Sequence, residues 1–577
     1  MAFRWVLRGK PMESTQTNDS VYPAIVRNLV TLRGIPEEDI EFFLHPKLRD
    51  LADPFLIPDM RPAVDRILMA ADQNQKVCIY GDYDVDGISS ITLMRKILHA
   101  YGIEPDTFIP RRGTEGYGIS FAALERCIRE TGKPDLLISV DCGTVSRDEI
   151  AYLRSQGVDV VVVDHHEPNP EVLPDCCAIV NPKFGTDFTY LCAAGVVFKL
   201  GHALLKTRPS DLELKDLIDL VAVATIADIV PLIGENRILV RHGLRRLPNS
   251  NNPGLRALQE ISGVKENPSS SDVGFHLSPR INAAGRMDFP EHALETLNTA
   301  CGSTAAELAR RLDDYNRQRQ NFEKKIRDEA IQQLGENFDP VNDPVIVIGS
   351  RSWHHGVVGI VASRLMRKYH KPTFVIAIDQ EGIGKGSGRS IEGVSLVEAI
   401  RACGDDILAG GGHAMAAGLS IHEDSLDRFR EKFASYVLEH TTVEERSPRL
   451  FFDAEIRLSE LSLDFLSSYE LLQPFGNGNP QPVFVSRGLS PARPPIHMKN
   501  HHLRLSLRQG NHEHDAIYFG GGENELPQSP WDIAFTIDRN TYRGRTNLQI
   551  VIQDLVSTAR PDQSSQTALS FTRLADS

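Results

Sequence analysis

Four apolar segments of this chain each end in acidic or imidazole side chains, and this repeated pattern limits the possible fold more than any other feature. The segments are VCIYGDYDVDG (Val77–Gly87), LLISVDCG (Leu136–Gly143), VVVVDHHEP (Val160–Pro168) and VAVATIADIVPL (Val221–Leu232). Apolar runs of about four to eight residues bounded by glycine or proline suit buried parallel strands. Ligands of parallel sheets bind at the carboxyl ends of the strands. We therefore predict four strands of an α/β fold whose acidic ends meet along one edge.

The side chains at these four segment ends are of the types that bind metal ions. Asp82, Asp84 and Asp86 alternate, so an extended backbone would point them to one side. The remaining candidates are Asp141, Asp164, His165, His166 and Asp228. Because carboxylates at this density would repel one another, we predict that they hold a pair of divalent cations. Oxygen-rich ligation with one or two imidazoles favours Mg²⁺ or Mn²⁺ over zinc.

Each segment has an ordinary structural alternative when it is taken alone. An isolated DxDxDG segment is as often a surface loop or a calcium loop, although the lack of a glutamate at the twelfth position excludes an EF-hand. Asp141 could cap a helix that begins near Val145, and Asp228 could be a turn residue. Four separate segment ends of one chemistry favour the metal site. Two cations can activate water and stabilise a displacement at phosphorus, so the predicted reaction is hydrolysis of a phosphodiester or phosphoanhydride.

Length and composition indicate a large multidomain enzyme. A chain of 577 residues exceeds what one hydrophobic core usually serves, so we expect two to four domains. No apolar run approaches the roughly 18 residues of a membrane helix, and the eight cysteines show no CxxC spacing. We therefore expect a cytoplasmic protein without membrane contact. The net charge of −14 excludes nucleic-acid binding through overall charge but leaves local basic grooves open.

The chain divides into six predicted segments. An alternation of strand-like and helical segments indicates a parallel-sheet domain, and Leu308, Leu312, Tyr315, Phe322 and Ile326 then follow helical spacing after a Thr304/Glu307 capping box. Short alternating strands near the end predict a small β-barrel. The predicted segments are an N-terminal segment (1–50), a parallel-sheet domain (51–302), a connecting helix (303–340), a smaller α/β domain (341–447), the barrel (448–560) and a tail (561–577).

Several motifs resemble those of a known enzyme family. GDYDVDG, SVDCG, VDHH and ATIADIVPL resemble the four signatures of the DHH phosphoesterase family. RSWHHGVVGIVASRL, GKGSGRS and GGGHAMAAGLS resemble its DHHA1 domain. Together with HLSPRINAAGRM and LLQPFGNGNPQPVF, this ordered set resembles the RecJ family of bacterial single-strand-specific 5′→3′ DNA exonucleases over about residues 50–560. The resemblance implies DHH, DHHA1 and OB-fold domains, and metal-dependent degradation of single-stranded DNA to mononucleotides in recombination and repair, including mismatch repair.

The resemblance also implies roles for individual residues of the metal site. The family ligands fall on Asp84, Asp86, Asp141, His165 and Asp228, with Asp82 a further candidate. Asp164 would orient a neighbouring imidazole, and His166 would lie toward the scissile phosphate. Tyr80 stands four residues before Asp84, where many small DHH phosphatases have a metal-binding histidine. Which two of the three loop aspartates bind metal therefore stays open.

Further residues are implied to hold the DNA strand. Ser387, Gly388 and Arg389 fit recognition of a 5′ phosphate, because an open glycine backbone with a hydroxyl and a guanidinium can surround an anion. Tyr117 is available to stack on a base. The other candidates are Arg111, Arg112, Arg280, Asn282, Arg286, His355 and His413. Without the family resemblance, each arginine taken alone would more often be a solvated surface charge.

Two other functions remain open at this stage. One is a DHH phosphodiesterase acting on short oligonucleotides or cyclic dinucleotides, although such tasks need only two domains. The other is a non-catalytic nucleic-acid scaffold, although all metal-type positions are occupied here. The family resemblance further implies single-stranded DNA-binding protein and a RecQ-type helicase as partners. We expect a monomer, since a three-lobed clamp needs no second copy.

Overall fold

The computed structural model describes residues 3–9, 22–185, 188–264, 266–498, 501–523, 525–542 and 544–558. The predicted tail at 561–577 lies outside this described part. The chain forms two compact units, of which the first comprises Met1–Pro46, Pro448–Phe475 and Pro480–Ser577, and the second Lys47–Ser447 and Gly476–Asn479. The N-terminal elements are β1 (Arg4–Leu7), α1 (Ala24–Thr31) and α2 (Ile40–Leu44). They belong to the same unit as the C-terminal region.

The second unit begins with a five-stranded parallel sheet. Its strands follow the order β3-β2-β4-β5-β6, so the predicted parallel sheet is confirmed. Gly81 of β2 pairs with Val140 of β4, and Val140 pairs with Val163 of β5, so these three strands end at one level. The elements are α3 (Met60–Asp72), β2 (Val77–Gly81), α4 (Val85–His99), β3 (Asp106–Phe108), α5 (Phe121–Thr131), β4 (Leu136–Val140), α6 (Arg147–Ser155), β5 (Asp159–Val163), β6 (Ala178–Val180) and α7 (Ala193–Thr207).

The fourth apolar segment is a helix, and its prediction as a strand was wrong. Residues Ile218–Ala227 form α8, whose first eight residues are all buried. An apolar run without alternation suits a buried helix as well as a buried strand, so its periodicity does not distinguish them. Further helices follow: α9 (Gly234–Arg246), α10 (Pro253–Ser262), α11 (Ser270–Asp272), α12 (Ser278–Arg286) and α13 (Pro290–Asn298).

A single long helix, α14 (Gly302–Asn337), follows this domain. Its 36 residues correspond to about 54 Å at about 1.5 Å per residue. The predicted long helix is confirmed, but it begins after Cys301, which precedes its first residue without a side-chain capping bond. Thr304 and Glu307 therefore lie inside the helix, and the predicted capping box was wrong.

The next part of the second unit is a smaller α/β domain with a mixed sheet. Its strands follow the order β10-β11-β9-β8-β7, in which only β7 and β8 are parallel. The elements are β7 (Ile346–Ser350), α15 (Val358–Tyr369), β8 (Thr373–Ile378), β9 (Ile383–Arg389), α16 (Leu396–Ala402), β10 (Ile407–Gly412), β11 (Ala416–His422) and α17 (Leu426–His440).

The C-terminal part of the first unit is a closed five-stranded barrel, as the OB-fold prediction requires. Strands β14, β15, β16, β18 and β17 pair in this order, and β14 also pairs with β17 to close the circle. The elements are β12 (Arg449–Phe452), β13 (Ala454–Glu455), α18 (Leu463–Tyr469), β14 (Phe484–Met498), β15 (His502–Gln509), β16 (His512–Tyr518), β17 (Trp531–Tyr542) and β18 (Arg545–Ser557). β1 adds to this unit by pairing in parallel with β12. Within the described ranges, every helix is too short or too polar to cross a membrane.

Candidate active site

The acidic loop after β2 turns directly into a helix. Asp84 caps α4, and its Oδ1 accepts the backbone N–H groups of Asp86 (2.8 Å) and Gly87 (3.1 Å). Asp86 thus lies in the first helical turn, and the extended alternation predicted for the three aspartates was wrong. The short side chain of aspartate suits this capping position because it can satisfy N–H groups that have no partner within the helix.

The carboxylate of Asp86 is held by a second helix. Its two oxygens accept the backbone N–H groups of Ala193 (2.7 Å) and Ala194 (2.8 Å) at the start of α7. Gly87 packs so closely that an added Cβ would lie 2.4 Å from the backbone oxygen of Asp82. The loop is therefore fixed at two points, and the glycine permits the close approach of α4 to Asp82.

The ends of β4 and β5 supply the neighbouring side chains. Asp141 follows β4 with a left-handed backbone (φ 62°) and donates its N–H to Val163. Asp164 follows β5, and its carboxylate accepts the backbone N–H groups of Thr144 (3.0 Å) and of the next residue, His165 (2.7 Å). Both carboxylates are almost fully buried.

These segments bring the predicted metal-type side chains together around one imidazole. The Nε2 atom of His165 lies 3.2 Å from Asp141 Oδ1, 3.6 Å from Asp228 Oδ2 and 3.7 Å from Asp86 Oδ2. Asp228 reaches the cluster from the carboxyl end of α8. Three overlapping sets have candidate ligand atoms within 4.8 Å of one another: Asp141, His165 and His166; Asp86, His165 and Asp228; Asp82, Asp84 and Asp141.

The crowding of buried carboxylates shifts their proton affinities upward. Burial and the charge of Asp84 raise the pKa of Asp86 to about 7. Burial and the charge of Asp86 raise the pKa of Asp228 to about 8. The pKa of Asp141 also lies well above its usual value for the same two kinds of reason. Burial lowers the pKa of His165 to about 3, so its imidazole is neutral and able to bind a cation.

The residues present fit a pair of hard divalent cations. Four buried atoms of the cluster make no hydrogen bond: Asp82 Oδ1, Asp141 Oδ1, His165 Nε2 and Asp228 Oδ2. Unpaired polar atoms at such depth are costly unless an ion or water satisfies them. A set of mainly carboxylate oxygens with one neutral imidazole is the donor chemistry of Mg²⁺ or Mn²⁺.

His166 lies beside this cluster between a carboxylate and a phenol. Asp164 Oδ1 lies 2.7 Å from its Nδ1, and Tyr117 Oη lies 2.7 Å from its Nε2. Burial opposes a charged imidazole, but the bond to Asp164 outweighs it and raises the pKa of His166 to about 9. The same bond holds the pKa of Asp164 below its usual range despite burial. The Tyr117 hydroxyl also donates to the Asp141 carbonyl oxygen at 3.2 Å. Tyr117 thus reaches the cluster of metal-type residues although it is 53% exposed.

Three of the predicted DNA-binding arginines lie together. Burial and the guanidinium groups of Arg112, Arg319 and Arg389 lower the pKa of Arg286 to about 10. Arg286 donates to the Gly356 carbonyl at 2.9 Å, which ties the parallel-sheet domain to the smaller domain. Arg389 donates to Ser387 Oγ at 3.1 Å. Guanidinium groups gathered in this way suit a strongly anionic ligand such as a phosphate.

Other predicted DNA-binding residues are engaged in protein contacts. Arg280 pairs with Asp313 at 2.9 Å, and Arg111 pairs with Glu291 at 3.3 Å. Asn282 Oδ1 accepts the N–H of Val85 at 3.2 Å and so supports the start of α4. The first two contacts join residues far apart in sequence, which explains why the motif alone did not reveal them.

The last three predicted residues have different surroundings. His355 is exposed and stacks on His354, with ring centroids 5.0 Å apart. His413 is exposed at the turn between β10 and β11, and its N–H bonds to the Ala416 carbonyl. An added Cβ at Gly388 would lie 2.5 Å from the ring of Phe374, so packing of β9 on that ring requires this glycine.

Sequence reasoning missed three residues that support the site. Asn181 Nδ2 donates to the His166 carbonyl at 2.9 Å and to Thr144 Oγ1 at 3.0 Å, while the Thr144 N–H holds Asp164. Arg319 lies beside Arg286 from the connecting helix. Asn181 directly follows a short strand, which was an available signal, whereas Arg319 resembles any other charged residue of a long helix.

Comparison with known proteins agrees with this arrangement. The sequence matches family models described as the DHH family N-terminal domain (residues 76–225), the DHHA1 domain (342–439) and the RecJ OB domain (452–554). It is 34% identical to the single-stranded-DNA-specific exonuclease RecJ of Haemophilus influenzae, over 88% of this chain and 92% of the relative. The RecJ of Bacillus subtilis is 36% identical, over 92% of this chain and 67% of the relative.

A solved structure is similar along nearly the whole chain. The crystal structure of RecJ from Thermus thermophilus in complex with Mn²⁺ superposes with a TM-score of 0.80 at 28% identity, covering 97% of this chain and 80% of that one. A structure of the same protein with Mg²⁺ gives a TM-score of 0.73. Because relatives at 34–36% identity are covered over two thirds or more of their length, and because the three family models match along it, the chain belongs to the RecJ family of single-stranded-DNA-specific exonucleases.

Proposed function

We propose that this protein is a metal-dependent exonuclease that degrades single-stranded DNA from the 5′ end to mononucleotides in DNA recombination and repair. The observation that carries the proposal is the cluster of four buried potential metal-ligand atoms that make no hydrogen bond, which lies at the edge of the parallel sheet. Family membership supports single-stranded DNA as the substrate, because the relatives are named for that specificity.

We propose Mg²⁺ or Mn²⁺, as two ions, for the cofactor. Both metals occur in the solved structures of the Thermus thermophilus relative. The proposed ligands are Asp82, Asp84, Asp86, Asp141, His165 and Asp228, although which two of the three loop aspartates bind directly stays open. When bound, such ions lower the pKa of water and stabilise charge that develops at phosphorus.

The chain's own residues would orient the strand and supply a proton. Asp164 holds the ring of His166 through Nδ1 and keeps the imidazole protonated near neutral pH. A protonated His166 would donate from Nε2 to a phosphate oxygen or to the leaving oxygen, exchanging its contact with the Tyr117 hydroxyl. Arg112, Arg286 and Arg389 would bind the terminal phosphate, since their guanidiniums lie together and the ion pairs among the described residues include none of the three.

Further parts of the proposal rest on family membership. We propose single-stranded DNA-binding protein and a RecQ-type helicase as partners, the cytoplasm as location and a monomer as the active form. The domain limits given under sequence analysis likewise remain predictions.

The experiment that tests the function is digestion of single strands labelled at one end or the other. With Mg²⁺ or Mn²⁺ we expect immediate release of the 5′ label as mononucleotide, while the strand labelled at its 3′ end shortens progressively. A blunt duplex should not be cleaved, and EDTA should prevent cleavage of the single strands. Cleavage of short oligoribonucleotides or cyclic dinucleotides only would replace the proposal with a small-substrate phosphodiesterase, and binding without cleavage would indicate a scaffold.

A further inference from the structure

Three aromatic rings lie side by side where α13 meets the long helix α14. They belong to Phe289, His292 and Tyr315, and we call them the ring platform. The centroids are 5.5, 5.7 and 5.8 Å apart, and the ring planes differ by only 7 to 19°. A linear stack would separate its outer rings by about 7–8 Å, at about 3.5–4 Å per step. The near-equal distances exclude a linear stack, and nearly parallel six-membered rings 5.5 Å apart must be offset-stacked, because coplanar rings at that distance would clash. Phe289 therefore packs in an offset-parallel manner against Tyr315.

Hydrogen bonds fix two of these three rings. Arg311 Nη1 lies 3.0 Å from His292 Nε2, and Tyr315 Oη lies 2.9 Å from His292 Nδ1. Because a guanidinium only donates, Nε2 must accept, and the proton of the neutral imidazole lies on Nδ1. This proton points to the Tyr315 oxygen. The imidazole and phenol are thus held in place before any ligand arrives.

The ring platform reaches solvent through Phe289, whereas His292 and Tyr315 are half-buried. The Phe289 side chain is 48% exposed, and Arg311 is exposed beside it. Asp288, the residue before Phe289, accepts the N–H of Gly113 at 3.1 Å. Gly113 follows Arg112 in the loop that also carries Tyr117. This bond ties the loop that carries Arg112 to the residue that precedes Phe289.

We propose that the ring platform is a binding subsite on which a base of the DNA strand stacks outside the catalytic cleft, with Arg311 beside its phosphate. This inference rests on the proposed function, because the occupant is the strand that the enzyme degrades. Flat, preformed aromatic faces next to a cation are the usual means of binding single strands without sequence preference. The subsite would retain the strand between successive cleavages.

A matched control exists in the same unit. Phe121 is 47% exposed, nearly the same as Phe289, but it meets Tyr152 edge to face, with planes at 72°. Replacing either phenylalanine by alanine therefore removes a similar exposed apolar surface, but only Phe289 packs parallel to neighbouring rings. Because Phe289 is half exposed, its replacement by alanine should leave the fold intact, which the melting temperature checks.

The test compares Phe289→Ala, Phe289→Trp and Phe121→Ala with the unchanged enzyme in Mg²⁺ or Mn²⁺. The substrates are a 5′-phosphorylated trinucleotide and a strand of about 20 nucleotides. For the long strand, we expect Phe289→Ala to raise KM about 5- to 150-fold, the range that base stacking supplies, with kcat nearly unchanged. The trinucleotide should be degraded as by the unchanged enzyme. Phe289→Trp should keep KM, and Phe121→Ala should resemble the unchanged enzyme.

A spectroscopic readout locates the base directly. Phosphorothioate strands carrying 2-aminopurine at successive positions should show quenched fluorescence at one internal position, and Phe289→Ala should abolish this quenching. If the unchanged enzyme degrades both lengths but Phe289→Ala behaves as Phe121→Ala does, the subsite is refuted and the exonuclease stands. If no strand is degraded but quenching still depends on Phe289, the subsite stands and the proposed function is refuted.

Discussion

Replacing Gly87 by alanine should test how rigidly α4 is held against the candidate metal loop. In most helices glycine-to-alanine stabilises the protein by about 1 kcal/mol, because alanine loses less backbone entropy. At Gly87 the new Cβ would lie 2.4 Å from the Asp82 backbone oxygen, 2.7 Å from its carbonyl carbon and 2.8 Å from its Cα. Since non-bonded atoms prefer about 3.5–4.0 Å, the backbone at Asp82 must move by about 1 Å.

Two effects with separate magnitudes follow. Overpacking of this kind costs about 1–3 kcal/mol, which exceeds the gain in helix propensity, so the melting temperature should fall. A displacement of about 1 Å at a candidate ligand should also lower kcat about 100-fold. The assays are thermal unfolding with and without Mn²⁺, and degradation of a 5′-labelled single strand.

The long helix offers a control for the same substitution. Gly335 lies in α14, and an added Cβ there meets no heavy atom within 4 Å. Gly335→Ala should therefore stabilise the protein slightly and leave kcat unchanged. If Gly87→Ala matched Gly335→Ala in both assays, Asp82 would not be fixed by this contact, and the reasoning about the loop would be refuted.

Three further predictions concern buried charges. Asp141→Asn should abolish hydrolysis but leave the far-ultraviolet circular dichroism unchanged; retained turnover would remove Asp141 from the site. In EDTA the melting temperature should fall as the pH rises from 6.5 to 9, since over this range folded Asp86, Asp228 and His166, with pKa values of about 7, 8 and 9, hold protons that the unfolded chain has lost; a flat profile would contradict these shifts, and Mn²⁺ should reduce the slope. Lys199→Met should lower the free energy of unfolding by about 3–5 kcal/mol, as measured by urea titration. The reason is that Glu235, whose carboxylate lies 2.9 Å from Lys199 Nζ, would stay buried without its charged partner. A smaller loss would show that water reaches Glu235.

The sequence predicted the fold well where the length of an apolar run and the turn residues that bound it distinguish strands from helices. The runs at Val77, Leu136 and Val160 are short and end at turn residues, and each forms a parallel strand. The run at Val221 contains alanines and extends from a long apolar stretch, and it forms a helix buried on every side. Complete burial removes the alternation between apolar and polar positions on which such predictions depend.

The composition of the site was more predictable than its contacts. Apart from Asp228, which ends the helix α8, the metal-type residues could be identified because they follow adjacent parallel strands, whose ends meet by geometry alone. The pairing of Arg280 with Asp313 and the bond between Tyr117 and His166 join separate elements. Such contacts depend on the packing of those elements, which no local pattern encodes.

Asp86 and Asp228 should respond differently to loss of charge in metal-free protein. Asp86 accepts two N–H groups at the start of α7. In Asp86→Asn the side-chain NH₂ group would face one of these donors, and this contact by itself should lower stability by about 1–3 kcal/mol. Asp228 caps the negative end of α8 and its Oδ2 has no hydrogen bond, so Asp228→Asn removes an uncompensated charge. In EDTA at pH 8.5 both substitutions remove a charge that burial disfavours, but only Asp86→Asn loses a hydrogen bond, so Asp228→Asn should raise the melting temperature by more than Asp86→Asn does. Equal shifts would mean that α7 does not stabilise the Asp86 anion, and that a cation alone would have to hold both carboxylates.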